Sequence, residues 1–126
     1  MGMYNERSIT YTKCQHFAVR ITKMVTYLQK KKQSNPSILN QVLRSGTSVL
    51  ANVSEAQYAQ SRADFINKMH IALKEAHETQ NWLLLIHASE DMTDIEHQSI
   101  NADCNEILAL LTASINTAKK NMLLQK

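Results

Sequence analysis

ILNQVLRSGTSVLANVSEA, residues 38–56, is the stretch from which the fold can be read. On a helix turning about 100° per residue, Ile38, Leu39, Val42, Gly46, Val49, Leu50, Val53 and Ala56 share one broad apolar face. Gln41, Arg44, Ser48, Asn52 and Glu55 share another, at spacings of three and four. An ordinary outer face is rich in long charged chains. This one carries Ser45, Thr47, Ser48, Asn52 and Ser54, with a single cation and a single anion. Small hydrogen-bonding groups suit the close approach of a second element, so the helix reads as packed on two sides. A helix whose outer side is simply polar fits the same pattern, and the pattern alone does not separate the two.

Working outward, the same periodicity recurs three times. Cys14, Phe17, Ala18, Ile21, Met24, Val25 and Leu28 form one arc of a helix over about 6–32, which ends in Lys30-Lys31-Lys32, cations at the negative end of the helix dipole. Asn35-Pro36 opens the next helix, over 37–59, because proline disfavours α conformation at the residue before it and suits the first helical position. Ser61 with Asp64 reads as a cap for a third helix, 62–88, whose inward residues are Phe65, Ile66, Met69, Ala72, Leu73, Ala76, Leu83 and Ile86. Trp82 and Leu83-Leu84-Leu85 make its last third apolar nearly all round, so its end is expected to be covered on more than one side. Thr93 with Glu96 forms a capping box for a fourth, 94–124, with Ile100, Cys104, Ile107, Leu108, Leu111, Ile115, Ala118 and Met122 close to a heptad seam. Four long helices on short connections predict an all-α, antiparallel up-down-up-down four-helix bundle in one domain, 1–126.

Composition agrees. Two glycines and one proline in 126 residues leave little for a turn-rich β fold. No apolar run approaches the roughly 20 residues that span a bilayer, and MGMYNERSIT has no apolar core of a secretory signal. Gly2 invites acylation, but Glu6 stands where the motif needs Ser or Thr. A cytoplasmic protein without a membrane partner is expected, with Cys14 and Cys104 as reduced core thiols.

Charge is divided along the chain. Residues 1–37 hold seven Lys or Arg against Glu6, whereas residues 38–126 hold seven against ten Asp or Glu. Lys13, Arg20, Lys23, Tyr27, Lys30 and Lys31 lie on one stripe of the first helix, with His16 among them. Such a stripe could follow a phosphate backbone, the ring stacking on bases. It could equally face acidic residues of another subunit and set assembly, or be a solvated helix face.

The chemistry of an enzyme is not legible. No Glu has a His three residues later, as inward-facing di-iron sites in bundles require, and no His pair has the i, i+4 spacing of two ligands on one face. Gly2 and Gly46 cannot make a phosphate-cradling loop. No catalytic residue, metal site, cofactor or small-molecule substrate is expected. Arg44 and Glu55 stand eleven residues apart, about three turns, so each needs Ser48, Asn52, water or another helix as partner. Arg44, Ser48, Asn52, Glu55 and Trp82 are therefore candidates for a structural network or an oligomer contact.

The order Gln41, Arg44, Gly46, Ser48, Val49, Asn52, Val53, Ser54, Glu55, then Ser61 and Phe65, resembles the bacterial four-helix family encoded in intervening sequences of 23S rRNA. Ala56 replaces that family's usual glycine, which lets the second helix run on towards Ala59, and Asp64 replaces the glutamate before Phe65. The resemblance implies a homo-oligomer, a ring-shaped pentamer in that family and in the related accessory proteins of diversity-generating retroelements. It also implies a role with RNA or DNA. The competing reading is a structural or protein-interaction module whose charge division serves assembly.

Overall fold

The computed structural model describes the backbone of residues 2–124 and the side chains of residues 9–124. Gly2, Glu6, Arg7 and Lys126, which entered the acylation and charge readings, lie outside the described side chains. Four helices make up the chain: α1 (Gly2–Lys31), α2 (Pro36–Gln57), α3 (Arg62–Ala88) and α4 (Asp94–Leu124). The last two have the expected bounds, whereas α1 begins at Gly2 and α2 at Pro36, ahead of the expected 6 and 37. Lys32 is not helical as expected. It takes a left-handed φ of 56° and its N–H turns back to the Gln29 carbonyl at 3.2 Å, which stops α1 one residue early. The second helix also stops short of Ala59. Tyr58 leaves helical geometry at ψ 16°, so without the glycine the helix gains one residue past Ala56 rather than three.

The starts are set by local side chains. Asn35 Oδ1 accepts from the Ser37 N–H at 2.9 Å, with Pro36 as the first helical residue. Ser61 Oγ accepts from the Asp64 N–H at 3.0 Å. At α4 the capping box is complete: Glu96 N–H donates to Thr93 Oγ1 at 3.1 Å and Thr93 N–H donates to Glu96 Oε1 at 2.9 Å. That bond holds the Glu96 carboxyl below its ordinary range.

The cross-helix contacts fix direction. Lys13 meets Glu106 and Arg20 meets Asp103; Arg44 meets Glu75 while Glu55 meets Lys68; Ala76 meets Cys104 while His87 meets Asp94. Each pairing runs backwards along its partner, so neighbouring helices are antiparallel. Helix α2 packs most closely on α3, and α1 and α4 touch least.

The core follows the predicted arcs. Cys14, Phe17, Ile21, Val25, Leu39, Val42, Val49, Ala72, Leu83, Cys104, Ile107 and Leu111 are at most 2% exposed. Burial pushes both thiols up to about 12, so they are protonated hydrophobes at neutral pH. One polar pair crosses the core, Thr79 Oγ1 and Ser45 Oγ at 2.8 Å, and the Glu75 carbonyl accepts from Thr79. Gly46 lies against Ile21, where even a Cβ would be a tight contact.

Candidate nucleic-acid interface

The predicted stripe of α1 exists but is not uniform. Lys13 Nζ lies 3.4 Å from Glu106 of α4. Arg20 is tied more firmly to that helix: it donates to Asp103 Oδ2 at 2.6 Å, to Ser99 Oγ at 3.1 Å and to the Ser99 carbonyl at 3.3 Å. These two cations therefore meet carboxylates of their own chain. The physical reason is topological, since the first and last helices of an antiparallel bundle are neighbours and α4 carries the acidic residues. Both pairs are part-exposed, so each contributes little to stability, about 0–1 kcal/mol.

The other half of the stripe is different. Lys23 and Lys30 are exposed and have no ion-pair partner among the described residues. Lys31 sits with its Nζ 5.1 Å from the centre of the Tyr27 ring, and Tyr27 is 50% exposed. Beside this cluster a groove of about 530 Å³ is lined by α1 and α4. Met24, Tyr27 and Leu28 line it from α1, Ile95 and Ile100 from α4, and Met92 from the connection before α4. Arg20 and Lys23 stand at its basic side and Glu96 at the other. The sequence gives no notice of Ile95 and Met92 as site residues, because Ile95 lies inside the capping box and outside the α4 seam.

The second candidate set is brought together only in part. Arg44 does not reach Glu55. It forks between Glu75, at 3.2 Å, and Glu78, while Gln41 Oε1 accepts from its Nε at 3.2 Å. Glu55 pairs instead with Lys68 at 3.2 Å. Asn52 donates to the Ser48 carbonyl one turn back, at 2.9 Å. Thus the polar face of α2 does meet a second element, α3. Trp82 is half-buried, and its Nε1 is enclosed without a hydrogen-bond partner among the described residues. The apolar end of α3 is covered on one side only: Leu83 is fully buried, whereas Leu84 and Leu85 are 56% and 41% exposed.

One feature of the α3–α4 corner has no signature in the sequence. His87 and His97 stack face to face, 4.2 Å between centroids and 3° from parallel, with His87 Nε2 2.7 Å from Asp94 Oδ1. His97 Nε2 is enclosed without a partner among the described residues, and burial, then the neighbouring His87, lowers its pKa. A histidine whose folded pKa is depressed stabilises the fold above its unfolded value, and that contribution is lost as pH falls through about 6.5 and below. Urea midpoints at pH 7.5 and 5.5 should fall more in the native chain than in His97→Phe, which keeps a ring in the stack without a proton to gain. An equal fall in both would remove this role.

No group of three or more His, Cys, Asp or Glu among the described residues is placed to hold a metal ion. No described helix is long and apolar enough to cross a membrane.

With this geometry in hand, comparison with known proteins assigns the chain. The family model of 23S rRNA-intervening sequence proteins matches residues 6–113. The chain belongs to that family. A crystal structure of a protein of unknown function from the S23 ribosomal protein family of Bacteroides thetaiotaomicron is similar over 88% of this chain and 98% of its own. The two share 45% identity and superpose with a TM-score of 0.85. No curated protein matches. In this chain Arg44 and Glu55 of the polar face of α2 reach α3, through Glu75, Glu78 and Lys68, while Asn52 bonds back to Ser48 within α2.

Proposed function

We propose that this chain is a non-enzymatic, cytoplasmic helical-bundle protein that assembles as a homo-oligomer and binds RNA or DNA through the C-terminal half of α1. The observation that carries the reading is the unbalanced cluster of Lys23 and Lys30 around half-exposed Tyr27, beside an open groove. Phosphate binding needs cations that are not already neutralised, and aromatic rings give sequence-tolerant stacking. Lys13 and Arg20 extend the basic field but are shared with Glu106 and Asp103. The names of the family and of the solved neighbour, 23S rRNA-intervening sequence protein and S23 ribosomal protein family, lend support on the RNA side. The exposed Leu84 and Leu85 and half-buried Trp82 support assembly, and five copies is the number that the family resemblance implies. A reading in which α1 basic residues pair with acids of the next subunit is less favoured, because two of those residues find acids within the chain.

The test is binding of RNA and DNA strands at 50 and 200 mM salt, with the oligomer mass followed in the same samples. The expected result is affinity that falls steeply with salt while the mass is unchanged. Lys23→Glu with Lys30→Glu should reduce affinity at least about 100-fold at low salt, since two phosphate contacts become repulsions. Full affinity in that double variant, or no binding by the intact oligomer, would sink the proposal.

A further inference from the structure

The groove between α1 and α4 offers more than a phosphate track. Its volume, about 530 Å³, lies within the roughly 300–1,000 Å³ range of sites that enclose small ligands. Its floor is apolar, from Met24, Leu28, Met92 and Ile100, and Tyr27 rises from α1 while Ile95, 80% exposed, rises from α4. An exposed isoleucine and a half-exposed ring at the mouth of one groove suit a flat, apolar-faced group between them. The charge is one-sided: Lys23 lies on the α1 rim, with Lys30 further along the same stripe. The one carboxylate in the lining, Glu96, is held at the α4 cap by the Thr93 N–H. A planar ring that carries its own anion on one side matches that arrangement. Bases within a duplex have both faces stacked and cannot enter, whereas an unpaired base can.

Resting on the nucleic-acid reading above, we propose that this groove receives one unpaired nucleobase between Tyr27 and Ile95, its phosphate lying on Lys23 and Lys30. The preferred ligand is then a single strand or an unpaired segment rather than duplex. Arg20, bonded to Ser99 and Asp103, bridges the groove's two helices beside that site.

The experiment compares four probes with the intact protein at one salt concentration: a 12-nucleotide single strand, the same strand made abasic, a 12-base-pair duplex, and a free mononucleotide as competitor. The single strand should bind at least about ten-fold tighter than the abasic strand or the duplex, the scale of one stacked base. Ile95→Glu, on a largely exposed side chain in the first turn of α4, should reduce single-strand affinity about ten-fold. Tyr58→Glu adds the same charge at the far end of the bundle and should leave affinity as it was. Equal binding of strand, abasic strand and duplex would overturn the groove's role and leave the phosphate reading standing. Binding to none of the probes would overturn both. Displacement of the strand by mononucleotide at equal concentration would make a free nucleotide the ligand and overturn the strand assignment. Unchanged strand affinity in Ile95→Glu would overturn the proposal as well.

Discussion

Gly46→Leu is expected to destabilise the bundle by about 2–3 kcal/mol, lowering the melting temperature by about 10 °C in a chain of this size. A Cβ on Gly46 would already lie 3.0 Å from Ile21 Cγ2 and 3.1 Å from its Cγ1. Ile21 is fully buried on α1, so it can give way by only a few tenths of an ångström. Three further carbons must then displace Ile21 or push α2 away from α1. Helix propensity acts in the other direction, favouring a non-glycine residue in a helix interior by about 1 kcal/mol. For Gly46→Ala that gain and the mild clash nearly cancel, and its effect should stay within about 1 kcal/mol of zero. For leucine the clash wins. A cycle with Ile21→Ala separates the terms, because the smaller residue makes room. Thermal melts of the four chains should show Gly46→Leu costing at least 1 kcal/mol less in the Ile21→Ala background. Equal cost in both backgrounds would mean that the α1–α2 contact at Gly46 is not the source.

Helix number and most helix ends were legible in the sequence because the signals are local. Ser61, Thr93 with Glu96, and Asn35-Pro36 act within one turn of chain, and the structure uses each as a cap. The two C-terminal ends that differ depend on more than residue type. Lys32 ends α1 through a left-handed backbone that lysine does not advertise, and Tyr58 ends α2 without a glycine. Partner choice was less legible still. That Arg44 and Glu55 need partners beyond their own helix follows from spacing. That both find them on α3 depends on how the helices neighbour one another. The same holds for Lys13 and Arg20, whose stripe reads as free until α4 is placed beside it. The groove at Tyr27 was hidden for a related reason. It is lined jointly by α1, α4 and the connection before α4, and no pattern within any one of them encodes its width.

Leu83, Leu84 and Leu85 form one run of sequence with three different environments, and their alanine variants should separate subunit core from assembly surface. Leu83→Ala is expected to cost about 3–4 kcal/mol at every protein concentration, since a fully buried leucine leaves a cavity between α3 and its neighbours. In the isolated chain Leu84→Ala and Leu85→Ala should each cost less than about 1 kcal/mol, because both side chains keep much of their area in water. Trp82 lies three residues before Leu85, on the same side of α3, so an oligomer that covers one is placed to cover the other. Burial there would raise the cost of Leu85→Ala, but only where subunits are associated. Stability of an oligomer rises with protein concentration by mass action, and a variant that weakens the contact flattens that rise. Urea unfolding at 1 and 100 μM should therefore show a gap between native chain and Leu85→Ala that widens with concentration, against a constant gap for Leu83→Ala. A constant, small gap for both Leu84→Ala and Leu85→Ala would leave the α3 end as ordinary solvent-facing surface and move any subunit contact to another face.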